Sequence, residues 1–104
     1  AMSGSGPAYV FYFIEAMTEA GVEMGLTPDQ AQRLAIGTFT GASALAHSAT
    51  EPPSVLRARV TSEGGTTYAA ITSLEAADVK AQFKPAIRAA QKRAAELGEE
   101  FGRG

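Results

Sequence analysis

Residues 60–70 read VTSEGGTTYAA, a polar run that joins a turn to the beginning of a helix. Ser62 is predicted to be the N-cap, because a serine oxygen there accepts hydrogen bonds from free backbone N–H groups near Thr66. Gly64 and Gly65 allow the backbone to approach a ligand closely, and two threonine hydroxyls follow them. Free N–H groups at the positive end of a helix form a small anion site, suited to a carboxylate or a phosphate. These residues alone are also compatible with the simpler alternative, a capped helix with a flexible start and no ligand site.

The flanking sequence predicts an all-α fold of about five helices in a bundle, with no convincing strand. Thr27 is expected to cap the second helix, with Gln30 at the capping-box position, and Asp78 is expected to cap the last. Pro85 lies inside the last helix and predicts a kink, because proline lacks the N–H donor. The predicted helices are Pro7 to Met24, Pro28 to about Ala49, Ser54 to Val60, Gly65 to Ala77, and Val79 to Phe101.

Apolar residues on the first and last helices predict contact with another chain. The last helix carries a seam like that of a coiled coil, and the first half of the first helix is apolar on every side. A helix of that kind is normally buried all round, and five helices in a small domain can hardly supply such cover; a central core helix is the alternative. Gly37 and Gly41 lie four apart and predict a close approach of a second helix. The stripe of the first helix is Val10, Phe13, Met17, Ala20 and Met24, and the seam is Val79, Phe83, Ile87, Ala90, Ala94, Leu97 and Phe101.

Composition limits the function classes. A chain of 104 residues is expected to form one domain, residues 1–104, with a modest core. A net charge of −2 argues against nucleic acid as the main partner. The sequence has no cysteine, which excludes disulfides and thiolate metal sites. It has no long apolar run and no basic segment before an apolar one, so no membrane contact and a cytoplasmic location are expected.

Other candidate sites are weaker. His47 is the only histidine and is interpreted as structural, so no metal site is expected. Ser62 has no recognisable His/Asp partner for a hydrolase triad. Arg57 and Arg59 precede the glycine turn and are interpreted as solvated. Four basic residues of the last helix recur every fourth position and are interpreted as a solvated face; they are Lys80, Lys84, Arg88 and Lys92.

Two separated motifs carry a family resemblance. Residues 60–71 resemble the signature of the pyrroline-5-carboxylate reductases, VTSPGGTT followed by a helix of small residues. The opening SGSGPAY, residues 3–9, is similar to the start of that family's C-terminal helical domain, and residues 20–28 are similar to its first interhelical turn. The resemblance covers residues 3–101. Glu63 departs from it, because the family has proline there; glutamate loosens the turn and puts a negative charge beside a carboxylate site.

The resemblance implies a part of the enzyme that reduces 1-pyrroline-5-carboxylate to L-proline with NADPH or NADH. It implies a homodimer, with higher oligomers of the full-length enzyme left open, and a site shared between the cofactor domain and the helical domains. The hydroxyl of Thr67 is expected to reach the imine nitrogen and to be the catalytic group of this chain. The substrate-binding residues so implied are Ser62, Glu63, Gly64, Gly65, Thr66 and Thr67.

No dinucleotide fingerprint accompanies these motifs. The glycines at 4 and 6 follow no strand, and no βαβ pattern is found, so the cofactor is expected on an N-terminal Rossmann domain missing from this chain. The 104-residue chain alone is therefore expected not to oxidise NADPH with the pyrroline acid. A helical oligomerisation module derived from the same domain, without a catalytic role, is the alternative; Glu63 and Pro85 favour it.

Overall fold

In the computed structural model, residues 2–102 are described, with side chains for residues 2–99. This part of the chain contains five helices and no strand, which confirms the predicted all-α class. None of these helices is both long enough and apolar enough to cross a membrane. The helices are α1, Met2–Glu23; α2, Pro28–Ser48; α3, Pro53–Arg59; α4, Thr66–Ala76; and α5, Val79–Gly102.

Helix α1 begins five residues earlier than predicted. Pro7 was expected at the first helical turn, but the helix starts at Met2 and contains Pro7 in its interior. The missing Pro7 N–H would have bonded to the carbonyl of Ser3, within the first turn. Proline therefore removes a bond only at the end of the helix, where the loss is smallest, and the chain remains helical.

The end of α1 is a Schellman motif. Leu26 N–H donates to the Gly21 carbonyl at 3.1 Å, and Gly25 N–H donates to the Val22 carbonyl at 3.0 Å. Gly25 has a φ of +108°, a left-handed conformation that side chains disfavour. The predicted turn at Gly25 and Leu26 is confirmed, and it reverses the chain toward α2.

The capping box predicted at the start of α2 is also confirmed. Thr27 Oγ1 accepts from the Gln30 N–H at 3.2 Å, and Gln30 Oε1 accepts from the Thr27 N–H at 3.1 Å. The two bonds satisfy backbone donors that a helix start leaves without partners. Helix α2 ends at Ser48, where the Ala49 N–H donates to the Leu45 carbonyl.

The chain divides into two compact units, one of which is Pro7–Val60. Its buried residues are small: Gly21 on α1, and Ala31 and Ala35 on α2. A methyl group built on Gly21 would lie 3.0 Å from Ala31 Cβ, so glycine is what lets the two helices meet there. The helices therefore touch near their connecting turn, through residues that bury little apolar area.

The apolar stripe predicted for α1 is mostly uncovered, and of its five residues Phe13 alone is half-buried. Val10 and Met17 are each 42% exposed and Met24 is 80% exposed. The covered side passes instead through Ile14 and Gly21. Because α1 is apolar on nearly every side, periodicity could not indicate which face packs within the chain.

The predicted close approach at Gly37 and Gly41 is not made within the chain. A methyl group on either glycine would meet nothing within 4 Å. These two positions of α2 are open among the described residues, although α2 keeps them at the usual cost of glycine in a helix, roughly 1 kcal/mol each.

The other unit comprises the described residues of Ala1–Gly6 and Thr61–Gly104. Helices α4 and α5 pack against each other in it. The corner between them is Asp78, whose carbonyl accepts the Gln82 N–H at 3.0 Å, so Asp78 occupies the predicted N-cap position. Its φ of +52° differs from the extended backbone that is usual for a cap. Asp78 instead turns the chain in the left-handed conformation, which aspartate tolerates better than most residues.

Helix α5 continues through Pro85 to Gly102 without interruption. The predicted seam is half-buried at Val79, Phe83 and Ile87, and again at Ala90 and Leu97. Ala94 is exposed, and the side chain of Phe101 lies outside the described residues. The seam is therefore the side of α5 that is partly covered within the chain, and its contact with another chain stays a prediction.

Candidate functional site: the glycine turn

The glycine turn, residues 62–65, is a four-residue β-turn. Gly65 N–H donates to the Ser62 carbonyl at 3.0 Å, and Gly64 at the third position has a φ of +75°. A hydrogen bond from the first to the fourth residue with a positive φ only at the third position is the pattern of a type II turn. Glycine is required at 64 by this backbone, and Glu63 occupies the position that proline favours.

Helix α4 is capped by Gly65, not by Ser62 as predicted. Gly65 has extended backbone, φ −86° and ψ −178°, and no side chain caps the helix. Ser62 fails as an N-cap because the turn occupies the three residues after it and places it one turn too early. A methyl group on Gly65 would lie 2.6 Å from Ser62 Oγ, so the turn closes tightly on this glycine.

The beginning of α4 presents free backbone donors. The first main-chain bond that returns to the cap is Ala69 N–H to the Gly65 carbonyl, at 3.1 Å. The N–H groups of Thr66, Thr67 and Tyr68 precede it and have no partner among the described residues. Three adjacent donors and the helix dipole attract a carboxylate or phosphate. The start of α4 thus offers the backbone donors that the predicted anion site needs, without the serine cap.

Hydroxyl groups lie beside these donors. Thr67 is half-buried and Thr66 is exposed, and neither hydroxyl is hydrogen-bonded within the described part of the chain. A threonine hydroxyl can donate one hydrogen bond and accept two. The turn and helix start can therefore bind an anion and orient a neighbouring polar atom.

The carboxylate of Glu63 is the one charged group that belongs to the turn itself. Glu63 is exposed, so solvent and salt weaken the repulsion between its carboxylate and an anion at the start of α4. The family signature has proline at this position. Glutamate therefore changes both the stiffness of the turn and its charge.

Both arginines before the turn have interactions within the chain. Arg59 Nη2 donates to Glu51 Oε2 at 2.5 Å, an exposed ion pair that joins the two ends of α3. The Arg59 guanidinium holds the pKa of the Glu51 carboxyl below its usual value. Arg57 also has an interaction within the chain. This pair was not predicted from the sequence. The available signal was a glutamate just before a seven-residue helix with an arginine at the end of that helix.

No three histidine, cysteine or acidic side chains in the described ranges are grouped in a way that could hold a metal ion. His47 lies in the last turn of α2, where the helix dipole favours a positive charge. The candidate site is therefore made of backbone amides and hydroxyls.

Comparison with known proteins agrees with the two sequence motifs. The family model described as "Pyrroline-5-carboxylate reductase dimerisation" matches residues 1–97. The chain belongs to the pyrroline-5-carboxylate reductase family. It is 48% identical over 102 residues to the pyrroline-5-carboxylate reductase of Pseudomonas aeruginosa, an alignment that covers 98% of this chain and 37% of the relative. The Arabidopsis thaliana enzyme is 43% identical over 98 residues, which are 94% of this chain and 36% of the relative.

Solved structures of this reductase family share the fold. A pyrroline-5-carboxylate reductase from Coxiella burnetii superimposes with a TM-score of 0.89 and 44% identity, over 92% of this chain and 36% of that one. The Plasmodium falciparum pyrroline carboxylate reductase, solved with NADP bound, gives a TM-score of 0.82 and 34% identity, over 85% and 36% of the two chains. The chain spans little more than a third of the length of these relatives, and the family model that it matches is described as a dimerisation domain.

Proposed function

We propose that residues 1–104 form one dimerisation and substrate-binding domain of a pyrroline-5-carboxylate reductase, an enzyme that reduces 1-pyrroline-5-carboxylate to L-proline with NADPH or NADH. The observation that carries the proposal is the start of α4, where three N–H groups have no partner in the described part of the chain and lie beside a tight glycine turn, within a chain that belongs to this family. A homodimer, its further assembly into larger oligomers, and a cytoplasmic location belong to the same proposal. Nucleic acid and membrane are not among the proposed partners.

The proposed site holds the substrate carboxylate beside the glycine turn, on the free N–H groups at the start of α4. The amide donors bind an anion without a counter-charge, and a fixed carboxylate holds the five-membered ring in one orientation. The Thr67 hydroxyl then donates to or accepts from the ring nitrogen. Reduction adds a hydride to the carbon of the C=N bond and a proton to its nitrogen, so a hydroxyl at the nitrogen polarises the bond as charge shifts.

The reduced nicotinamide supplies the hydride. The described residues form five helices joined by turns and contain no strand, so they lack the strand–turn–helix unit that binds a dinucleotide. They therefore do not fit the cofactor, and no step of hydride delivery is assigned to this chain. Its proposed contribution is to bind, orient and polarise.

Proline titration tests the site, because proline carries the carboxylate and ring nitrogen of the product. Amide shifts in the NMR spectrum of the 104-residue chain should be confined to residues 62–67 and should saturate. Thr67→Ser keeps the hydroxyl and should keep these shifts, whereas Thr67→Ala should weaken them. Shifts absent at high proline, in a chain whose dimer is intact, would favour the alternative of an oligomerisation module without a catalytic role.

Light scattering over a concentration series tests the dimer separately. A mass twice that of the 10.8 kDa chain is expected. A folded monomer at high concentration would contradict the shared-site premise of the proposal.

A further inference from the structure

Glu63 carries a negative charge that no ion pair in the described part of the chain neutralises. It is exposed, and it takes part in no hydrogen bond or ion pair among the described residues. The arginines that precede it in sequence have other interactions, Arg59 with Glu51 and Arg57 also within the chain. A full negative charge is therefore a property of the glycine turn itself.

The turn holds this charge near the free donors at the start of α4. Glu63 is the second residue of the turn, which the Gly65 N–H closes on the Ser62 carbonyl at 3.0 Å. Thr66 has the first free N–H and follows Glu63 by three positions, so their Cα atoms lie within about 11 Å of each other. The screening length is about 8 Å at physiological ionic strength and about 30 Å at 0.01 M salt. An anion on these donors therefore senses the Glu63 carboxylate, most strongly at low salt.

A ligand with a positive group beside its carboxylate senses the same charge differently. In proline, the protonated ring nitrogen and the carboxylate are attached to one carbon atom. Attraction of the nitrogen to Glu63 then offsets most of the repulsion of the carboxylate, because the two opposite charges lie at similar distances from Glu63. A ring acid without that nitrogen has only the repulsion. Two ligands of similar shape are thus affected unequally.

We propose that Glu63 is a specificity-determining residue of this site, whose carboxylate disfavours purely anionic ring acids relative to ring acids with a protonated nitrogen. The discrimination rests on the proposed function, in which the start of α4 holds the ligand carboxylate. Proline, which the family signature has at this position, contributes no charge and therefore no such discrimination. An unfavourable contact with the wrong ligand is a general route to specificity.

The effect of a single exposed charge at this distance is small and measurable. Two unit charges about 7–10 Å apart in water, at about 0.01 M salt, change a Kd roughly two-fold. Replacing the negative charge by a positive one should double the change in free energy, which makes roughly four-fold. At about 1 M salt the screening length is about 3 Å, so both changes should disappear.

Paired titrations test the discrimination. Tetrahydrofuran-2-carboxylate has a ring similar to that of proline, with an ether oxygen in place of the protonated nitrogen. Amide shifts of residues 62–67 in the 104-residue chain give a Kd for each ligand, and the measured quantity is the Kd of tetrahydrofuran-2-carboxylate divided by that of proline. At about 0.01 M salt this ratio should fall roughly two-fold in Glu63→Gln and roughly four-fold in Glu63→Lys. At about 1 M salt the three chains should give the same ratio.

Matched substitutions at Glu99 control for net charge. Glu99 is exposed on α5, about 30 Å along that helix from Val79, whereas the start of α4 lies about 15 Å from the same corner. Glu99→Gln and Glu99→Lys change the formal net charge from −2 to −1 and to 0, as the substitutions at Glu63 do. Neither should change the ratio.

Three results would contradict the proposal. An equal ratio in the parent and both Glu63 variants, or an equal change in the Glu99 variants, would overturn it. A change that persists at about 1 M salt would assign the effect to the backbone of the turn and would overturn it as well. Amide shifts absent with both ligands would instead contradict the proposed function, and the role of Glu63 with it. Both ligands are titrated into the same chain, so a partial loss of fold lowers both affinities and leaves the ratio unchanged; circular dichroism shows whether each variant remains helical.

Discussion

Glu63 occupies a position where the structure favours proline, so Glu63→Pro is expected to stabilise the chain. The turn residue after it, Gly64, has a φ of +75°, and the Gly65 N–H to Ser62 carbonyl bond closes the turn at 3.0 Å. The second residue of a type II turn has a φ near −60°. A proline ring already has that φ, so the substitution removes freedom from the unfolded chain and little from the folded one.

The expected gain is about 0.4–1 kcal/mol in the free energy of unfolding. A domain of this size gains about 4–8 °C in Tm for each kcal/mol, so the rise should be about 2–8 °C. Urea unfolding followed by circular dichroism measures the free energy, at one fixed chain concentration because dimerisation adds to apparent stability.

Two variants separate the causes. Glu63→Gln removes the charge and keeps the backbone freedom, so its stability should stay within about 0.5 kcal/mol of the parent. Gly64→Ala places a side chain at positive φ and should lose about 1–2 kcal/mol. A Glu63→Pro chain no more stable than the parent would refute the type II geometry or the extended backbone that Ser62 needs before a proline. An equal gain in Glu63→Gln would show that charge, and not backbone freedom, is the cause.

Three further substitutions follow from the described contacts. Thr27→Ala removes the capping box and should cost about 1 kcal/mol of unfolding free energy, measured by urea unfolding; Thr27→Ser keeps the cap and should cost much less. Gly21→Ala places a methyl group 3.0 Å from the facing alanine of α2 and should lose roughly 1–3 kcal/mol, whereas Gly98→Ala, with nothing within 4 Å, should gain up to about 1 kcal/mol; similar effects at both sites would contradict the helix contact. Arg59 lowers the pKa of Glu51 in the folded chain below its usual 4.5, so the ion pair stabilises the fold above pH 4.5 and stops doing so as the pH falls through the folded pKa. Glu51→Gln should therefore lose less unfolding free energy on acidification than the parent. The same dependence of stability on pH in the variant and the parent would contradict the pairing.

Local signals predicted the fold well. Thr27 and Gln30 predicted a capping box because every atom involved lies within four residues of the chain. Gly25 and Leu26 predicted the end of α1 for the same reason, since a left-handed glycine followed by an apolar residue completes a Schellman motif. The seam of α5 was predictable because only one side of that helix is apolar.

Features that depend on neighbouring backbone were predicted less well. Ser62 is a favourable N-cap residue, but the hydrogen bond of the following turn displaced the helix start to Thr66. Pro7 is favourable at the first helical position, yet the helix extends beyond it toward the N-terminus. The Glu51–Arg59 pair joins residues eight apart, and no periodic pattern indicates which of two arginines would be chosen. Residue preferences describe single positions, whereas these outcomes depend on how consecutive elements compete for the same backbone.

The small interior of the unit 7–60 has a consequence for synthesis. Gly21, Ala31 and Ala35 bury little apolar area, so a newly synthesised chain has few contacts of its own that could stabilise its fold. In the proposed homodimer, folding and dimerisation should then occur in one bimolecular step, and the refolding rate should rise with chain concentration. A chain with a defective site that can still dimerise would consequently bind an intact chain, and half of the chains in such mixed dimers would be intact.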